Sequence, residues 1–217
     1  MLNLKGITTL LIDLDDTLYP AEKGIWQHIR DRMDLYLTER LDINPVEVPV
    51  LRKHLFETYG TTLRGLQLTR NVDEEDFLAF VHDVNVEIKL QPNQRLAEIL
   101  KRYPQRRFIL TNADKPHADR VLRALGLVDC FEDIIDIHTL SPFCKPQLEA
   151  YHQVLTYLKV RPDECLFADD STRNLGTAHS LGMLTVLVGS KEPASEADFS
   201  IQRIEDLPLV FPFPSGR

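Results

Sequence analysis

The stretch ITTLLIDLDDT, residues 7–17, decides how the chain is read. Branched and apolar residues from Ile7 to Ile12 run straight into Asp13-Leu14-Asp15-Asp16-Thr17. A run this short, closed by turn-forming acids, reads as a buried strand over residues 8–14; it is far too short for a membrane span. Runs of the same kind stand at 107–111, 165–168 and 184–188, with a weaker one at 134–137. Between them apolar residues recur at helical spacing. Leu96, Ile99, Leu100 and Tyr103 share one face, as do Ala118, Val121, Leu122 and Leu125, stopped by Gly126. Leu148, Tyr151, Leu155 and Leu158 make a third stripe, and Leu175, Ala178 and Leu181, stopped by Gly182, a fourth. Uniformly apolar strands alternating with such helices predict an α/β fold, a doubly wound parallel sheet covered on both faces.

Between residues 20 and 90 the alternation fails, and only helical stripes remain: Trp26, Ile29, Met33 and Leu37, then Phe77, Phe80, Val81, Val84 and Ile88. A segment of about seventy residues is too long for a loop in a compact unit. It predicts a helical subdomain, 20–90, inserted into a core built from 1–19 and 91–217. The stretch 208–217, with three prolines and a glycine, reads as ending in a loose tail.

Composition narrows the function classes. At 217 residues with 43% hydrophobic and 27% charged side chains, the chain can bury a core without disulfides or structural metals. Lys and Arg number 25 against 33 Asp and Glu, a net charge of -8, which argues against a nucleic-acid polymer as partner. Cys130, Cys144 and Cys165 form no CxxC pair and read as reduced thiols of a cytoplasmic protein. No signal-peptide pattern and no membrane-length apolar run is expected to tie the chain to a membrane.

Parallel sheets collect ligands at the carboxyl ends of their strands. The groups expected there are Asp13, Asp15 and Asp16 after the first strand, Thr111-Asn112 after the second, and Asp169-Asp170-Ser171 after the fourth. Lys145-Pro146 lies in the loop before that strand. Clustered carboxylates need a cation, and oxygen ligands without a His or Cys cluster favour Mg²⁺. Position suggests roles: Asp13 as a nucleophile toward phosphorus, Asp15 as acid and base, Thr111 and Lys145 on phosphoryl oxygens, and Asp170 with Asp169 on the metal. Asn112 reads equally as a phosphate contact or as the cap of the next helix. Asp16 reads as a turn residue, Thr17 as a tie within the loop, and Cys144 as packing. Arg64 divides evenly between a substrate contact and a solvated charge. The histidines require no catalytic role, and Trp26, Phe77 and Phe80 read as the subdomain's core.

DLDDT, TN, KP and DDS, in that order, resemble the haloacid dehalogenase-like (HAD) phosphohydrolase superfamily. The resemblance implies a Rossmann-like core with a helical cap that selects substrate. It further implies Asp13 as nucleophile, Asp15 as acid/base and main-chain metal ligand, and Mg²⁺ as cofactor. DLDDTLYP, Gly24-Ile25, the run from Tyr59 to Leu66, Thr111-Asn112-Ala113 and Cys144-Lys145-Pro146 resemble its pyrimidine 5'-nucleotidase branch. That implies UMP- or CMP-like nucleoside monophosphates as substrates. The alternatives are a phosphatase or mutase of phosphoglycolate or sugar phosphates, a dehalogenase, which has no need of an acid/base at Asp15, and a non-catalytic phosphate- or nucleotide-binding module.

Overall fold

The computed structural model describes residues 6–213. Six strands are present among them: β1 (Thr9–Ile12), β2 (Arg106–Leu110), β3 (Asp133–Ile135), β4 (Cys165–Asp169), β5 (Leu184–Val188) and β6 (Phe199–Ile201). They form one parallel sheet in the order β3-β2-β1-β4-β5-β6. The α/β doubly wound reading therefore holds.

Each central strand is apolar throughout because both of its faces are covered. Leu10 and Ile12 join the core on one side of the sheet, while Leu11 joins the core on the other. In β4, Leu166 and Ala168 go one way, Cys165 and Phe167 the other. Burying each of the larger side chains contributes about 1.5–3 kcal/mol. The first core is closed by α6 (Gln94–Lys101), α7 (Lys115–Leu125) and α11 (Leu207–Val210). The second is closed by α8 (Ile137–Leu140), α9 (Leu148–Leu158) and α10 (Thr172–Ser180).

Between β1 and α6 stand only helices: α1 (Ile25–Glu39), α2 (Val48–Tyr59), α3 (Thr62–Arg70), α4 (Glu74–Val81) and α5 (Val86–Lys89). They form a helical cap. Thr61 caps α3 by accepting from the Arg64 amide, and Asp73 caps α4 through the Asp76 amide. At Gly65 a Cβ would stand 2.7 Å from Leu55 Cδ2, so α2 and α3 pack too closely for any side chain there.

Three details differ from the sequence reading. The stripe ending at Ile88 is broken between α4 and α5, which leaves Ile88 80% exposed. The weak strand stops at Ile135, and Ile137 starts α8 instead. β6 was not anticipated, since three residues carry too little periodicity. The C-terminal stretch is docked as far as it is described: the Tyr103 hydroxyl donates to the Phe211 carbonyl at 2.6 Å, and Arg102 lies over the Phe213 ring. The last residues of the stretch, expected as a loose tail, fall in 214–217, outside the described residues.

Strand order reverses between β1 and β4, which opens a crevice beyond their carboxyl ends. The cap stands over that crevice, and together they enclose a cavity of about 700 Å³.

Candidate active site

The end of β1 is fastened to β4 by the Asp13 amide, which donates to the Ala168 carbonyl at 2.9 Å. Asp13 therefore emerges beside Asp169, the last residue of β4, and Asp170. Lys145 reaches in from the loop after α8 and is 2% exposed. Its ammonium donates to Asp13 Oδ1 at 2.7 Å, Asp169 Oδ2 at 2.8 Å and the Leu110 carbonyl at 2.7 Å. All three of its hydrogens are used.

Asp169 also accepts from the Ser171 amide (2.8 Å) and, through both oxygens, from the Asn174 side chain (3.1 and 3.0 Å). Its lone pairs are thus filled by protein donors. Asp170 has one weak partner, the Thr17 hydroxyl at 3.5 Å. Oxygens of Asp13, Asp169 and Asp170 lie within 4.8 Å of one another.

The charges of this cluster favour a bound cation. Burial pushes the Asp13 carboxyl well above its ordinary range against the pull of Lys145, with Asp169 and Asp170 pushing the same way. Crowding by protein, then the Asp169 and Asp16 charges, push Asp170 up to about 7. Burial would depress the Lys145 ammonium, but Asp13 and Asp169 outweigh it and hold it above its usual value. A cluster of carboxylate oxygens with surplus negative charge, of which those of Asp13 and Asp170 keep free lone pairs, and with no sulfur or imidazole among them, fits a hard divalent cation.

Asp15 occupies a separate arm of the site. Its Oδ1 accepts from the Tyr19 hydroxyl and lies 2.9 Å from His117 Nε2. Burial alone would raise this carboxyl, yet His117 and then Tyr19 outweigh it and hold it below the ordinary range. Asp16 sits in a left-handed turn, φ 59°, and burial beside Asp15 pushes its carboxyl up to about 6.

Thr111 follows β2, is buried, and its hydroxyl oxygen accepts from the Ala113 amide at 3.0 Å. The Asn112 side chain exchanges two 2.9 Å bonds with the Lys145 backbone. It therefore holds the lysine loop. The capping alternative falls to Asp114, which caps α7 through the His117 amide. Cys144 is buried with its thiol raised by burial, as packing would have it. Arg64 bonds Gln67 and lines a minor depression outside the cavity. Trp26 and Phe77, read from sequence as cap core, both line the cavity, where Trp26 is only half-buried.

Sequence reasoning missed Tyr19, His82, His117 and Asn174. His117 carried a usable signal, because it lies four residues before Val121 on the apolar face of its helix.

A family model described as haloacid dehalogenase-like hydrolase matches residues 7–182. The chain belongs to the haloacid dehalogenase-like hydrolases. "Phosphate metabolism protein 8" of Saccharomyces cerevisiae is 23% identical over 226 residues, spanning 91% of this chain and 70% of the yeast protein. Two solved structures share the fold. A HAD phosphatase from Thermococcus onnurineus is 19% identical with a TM-score of 0.64, covering 95% of this chain and 99% of that one. The HAD-hydrolase YfnB from Bacillus subtilis, solved bound to magnesium, is 16% identical with a TM-score of 0.62, covering 94% and 98%. Among the described residues of this HAD-like hydrolase no helix is long and apolar enough to cross a membrane.

Proposed function

We propose that this hydrolase is a Mg²⁺-dependent phosphomonoesterase that works through a phosphorylated Asp13 and acts on pyrimidine nucleoside monophosphates. The observation that carries the reading is the Lys145 bridge. One buried ammonium holds the Asp13 and Asp169 carboxylates together, beside Asp170, at the floor of a capped cavity.

Asp13 and Asp170 would hold the cation with the Asp15 main-chain carbonyl, while Asp169, already filled by Lys145, Asn174 and the Ser171 amide, orients the others. Bound there, Mg²⁺ supplies charge that offsets the repulsion between substrate phosphate and carboxylates. Asp13 Oδ2, which has no partner among the described residues, attacks phosphorus as the bond to the ester oxygen breaks. Asp15, taking up the proton that the monoanionic phosphate ester brings in, gives it to that leaving oxygen. It then takes a proton from the water that attacks the aspartyl phosphate, which restores Asp13 and frees phosphate. Lys145, whose hydrogens are taken, stabilises the transferring oxygens by its charge, the Thr111 hydroxyl can donate to them, and Asn112 keeps the lysine in register through its backbone.

Residues 20–90 act as the selecting cap. Trp26, Phe56 and Phe77 give the cavity an apolar wall suited to a flat base, and Arg30 adds a cation. The nucleotidase-like motifs point the same way, and the name of the yeast relative agrees with phosphate-ester chemistry. Three free, buried cysteines suit a cytoplasmic enzyme. A panel of phosphorylated metabolites at near-neutral pH, with and without Mg²⁺, tests the reading. UMP and CMP should be hydrolysed well above phosphoglycolate and sugar phosphates, and chelation should abolish turnover. Metal-independent turnover, or preference for a sugar phosphate, would overturn it.

A further inference from the structure

We propose that His117, clamped by His82, is a positioning residue that presents the Asp15 carboxyl to the leaving oxygen of the substrate. The proposal rests on the acid/base reading of Asp15 given above.

His117 is fully enclosed, its side chain 0% exposed, in the first turn of α7. Nε2 meets Asp15, while Nδ1 is buried with no partner among the described residues. An unpaired buried nitrogen is destabilising, and a leucine would fill the same space without that cost. The ring's one polar contact is with Asp15. That contact and the Tyr19 hydroxyl both fall on Oδ1, so Oδ2 has no partner among the described residues, and Asp15 lines the cavity. Oδ1 is the anchored atom, and Oδ2 is the one left to exchange a proton.

The anchor is itself held. The His82 ring stacks on His117 with centroids 4.5 Å apart and planes within 17°. His82 Nδ1 lies 3.0 Å from Asp114 Oδ1, at an angle short of a regular hydrogen bond, and the same Oδ1 caps α7 through the His117 amide. Arg120, on the next turn, donates to the carbonyls of His82 and Val84. His82 ends α4, so one turn of α7 grips both the exit of the cap and the acid/base.

The test compares first-turnover release of alcohol from an alkyl monoester, UMP, and from dinitrophenyl phosphate, whose leaving group needs no proton. For His117→Leu, release from UMP should fall about 10- to 100-fold, a share of the roughly 10²–10⁴ that a general acid supplies. Release from dinitrophenyl phosphate and KM for UMP should each change less than about threefold. His117→Gln, which keeps a donor, should recover part of the loss, and decides the matter if the leucine variant does not fold. Equal losses for both substrates, or none, would overturn the proposal while Asp15→Asn still discriminates between them. If Asp15→Asn does not discriminate either, the acid/base reading has failed and the proposal with it.

Discussion

Asp170 is the residue where chemistry and acidity meet most openly. The surrounding protein, then the Asp169 and Asp16 charges, push its carboxyl up to about 7. The folded chain thus holds this proton more tightly than the unfolded chain. Its contribution to stability is full below the ordinary carboxylate range and is lost as pH rises through about 7. A cation binds only the ionised form, so protons compete below that value. Calorimetric titration should give an Mg²⁺ affinity about tenfold weaker at pH 6 than at pH 8, and Asp170→Asn should flatten that dependence. An affinity unchanged between the two would mean that Asp170 is not a ligand.

Elements are joined at points where no side chain is tolerated. Gly60 ends α2 with φ +93°, and a Cβ there would meet Cys144 Sγ at 2.9 Å and the Lys145 carbonyl at 3.4 Å. Gly60→Ala would therefore strain the turn and press the cap against the loop that carries the lysine. Denaturant melts should show a loss of about 1–3 kcal/mol, and kcat should fall because Lys145 moves; unchanged values would show that the contact relaxes freely. Much of this architecture was legible in the chain itself. Leu10, Leu11 and Ile12 announce a strand buried on both faces, and Asp13 stands at its end for the same reason. Other features were not legible. β6 depends on pairing with β5 more than on its own three residues, and the break at Ile88 depends on where α5 docks. The His82–His117 stack joins residues 35 apart in the chain, and spacing alone does not express such a meeting.

The whole molecule is a parallel sheet whose order reverses at β1 and β4, with a helical roof over the reversal. Cap and core meet at several polar points, among them Arg173 stacked over Phe56 and Arg120 bound to the carbonyls that leave α4. Access to Asp13 passes through the enclosed space between them. Everything proposed for the reaction depends on that carboxylate taking the phosphoryl group. The most direct measurement is acid quenching of the Asp15→Asn variant during turnover with Mg²⁺ and dinitrophenyl phosphate, whose leaving group needs no proton, followed by mass spectrometry of the peptide containing residue 13. A phosphoryl group on Asp13, absent without Mg²⁺ and absent from Asp13→Asn, is the predicted result. Turnover by Asp13→Asn, or phosphate released with no adduct on residue 13 at any time, would contradict the account.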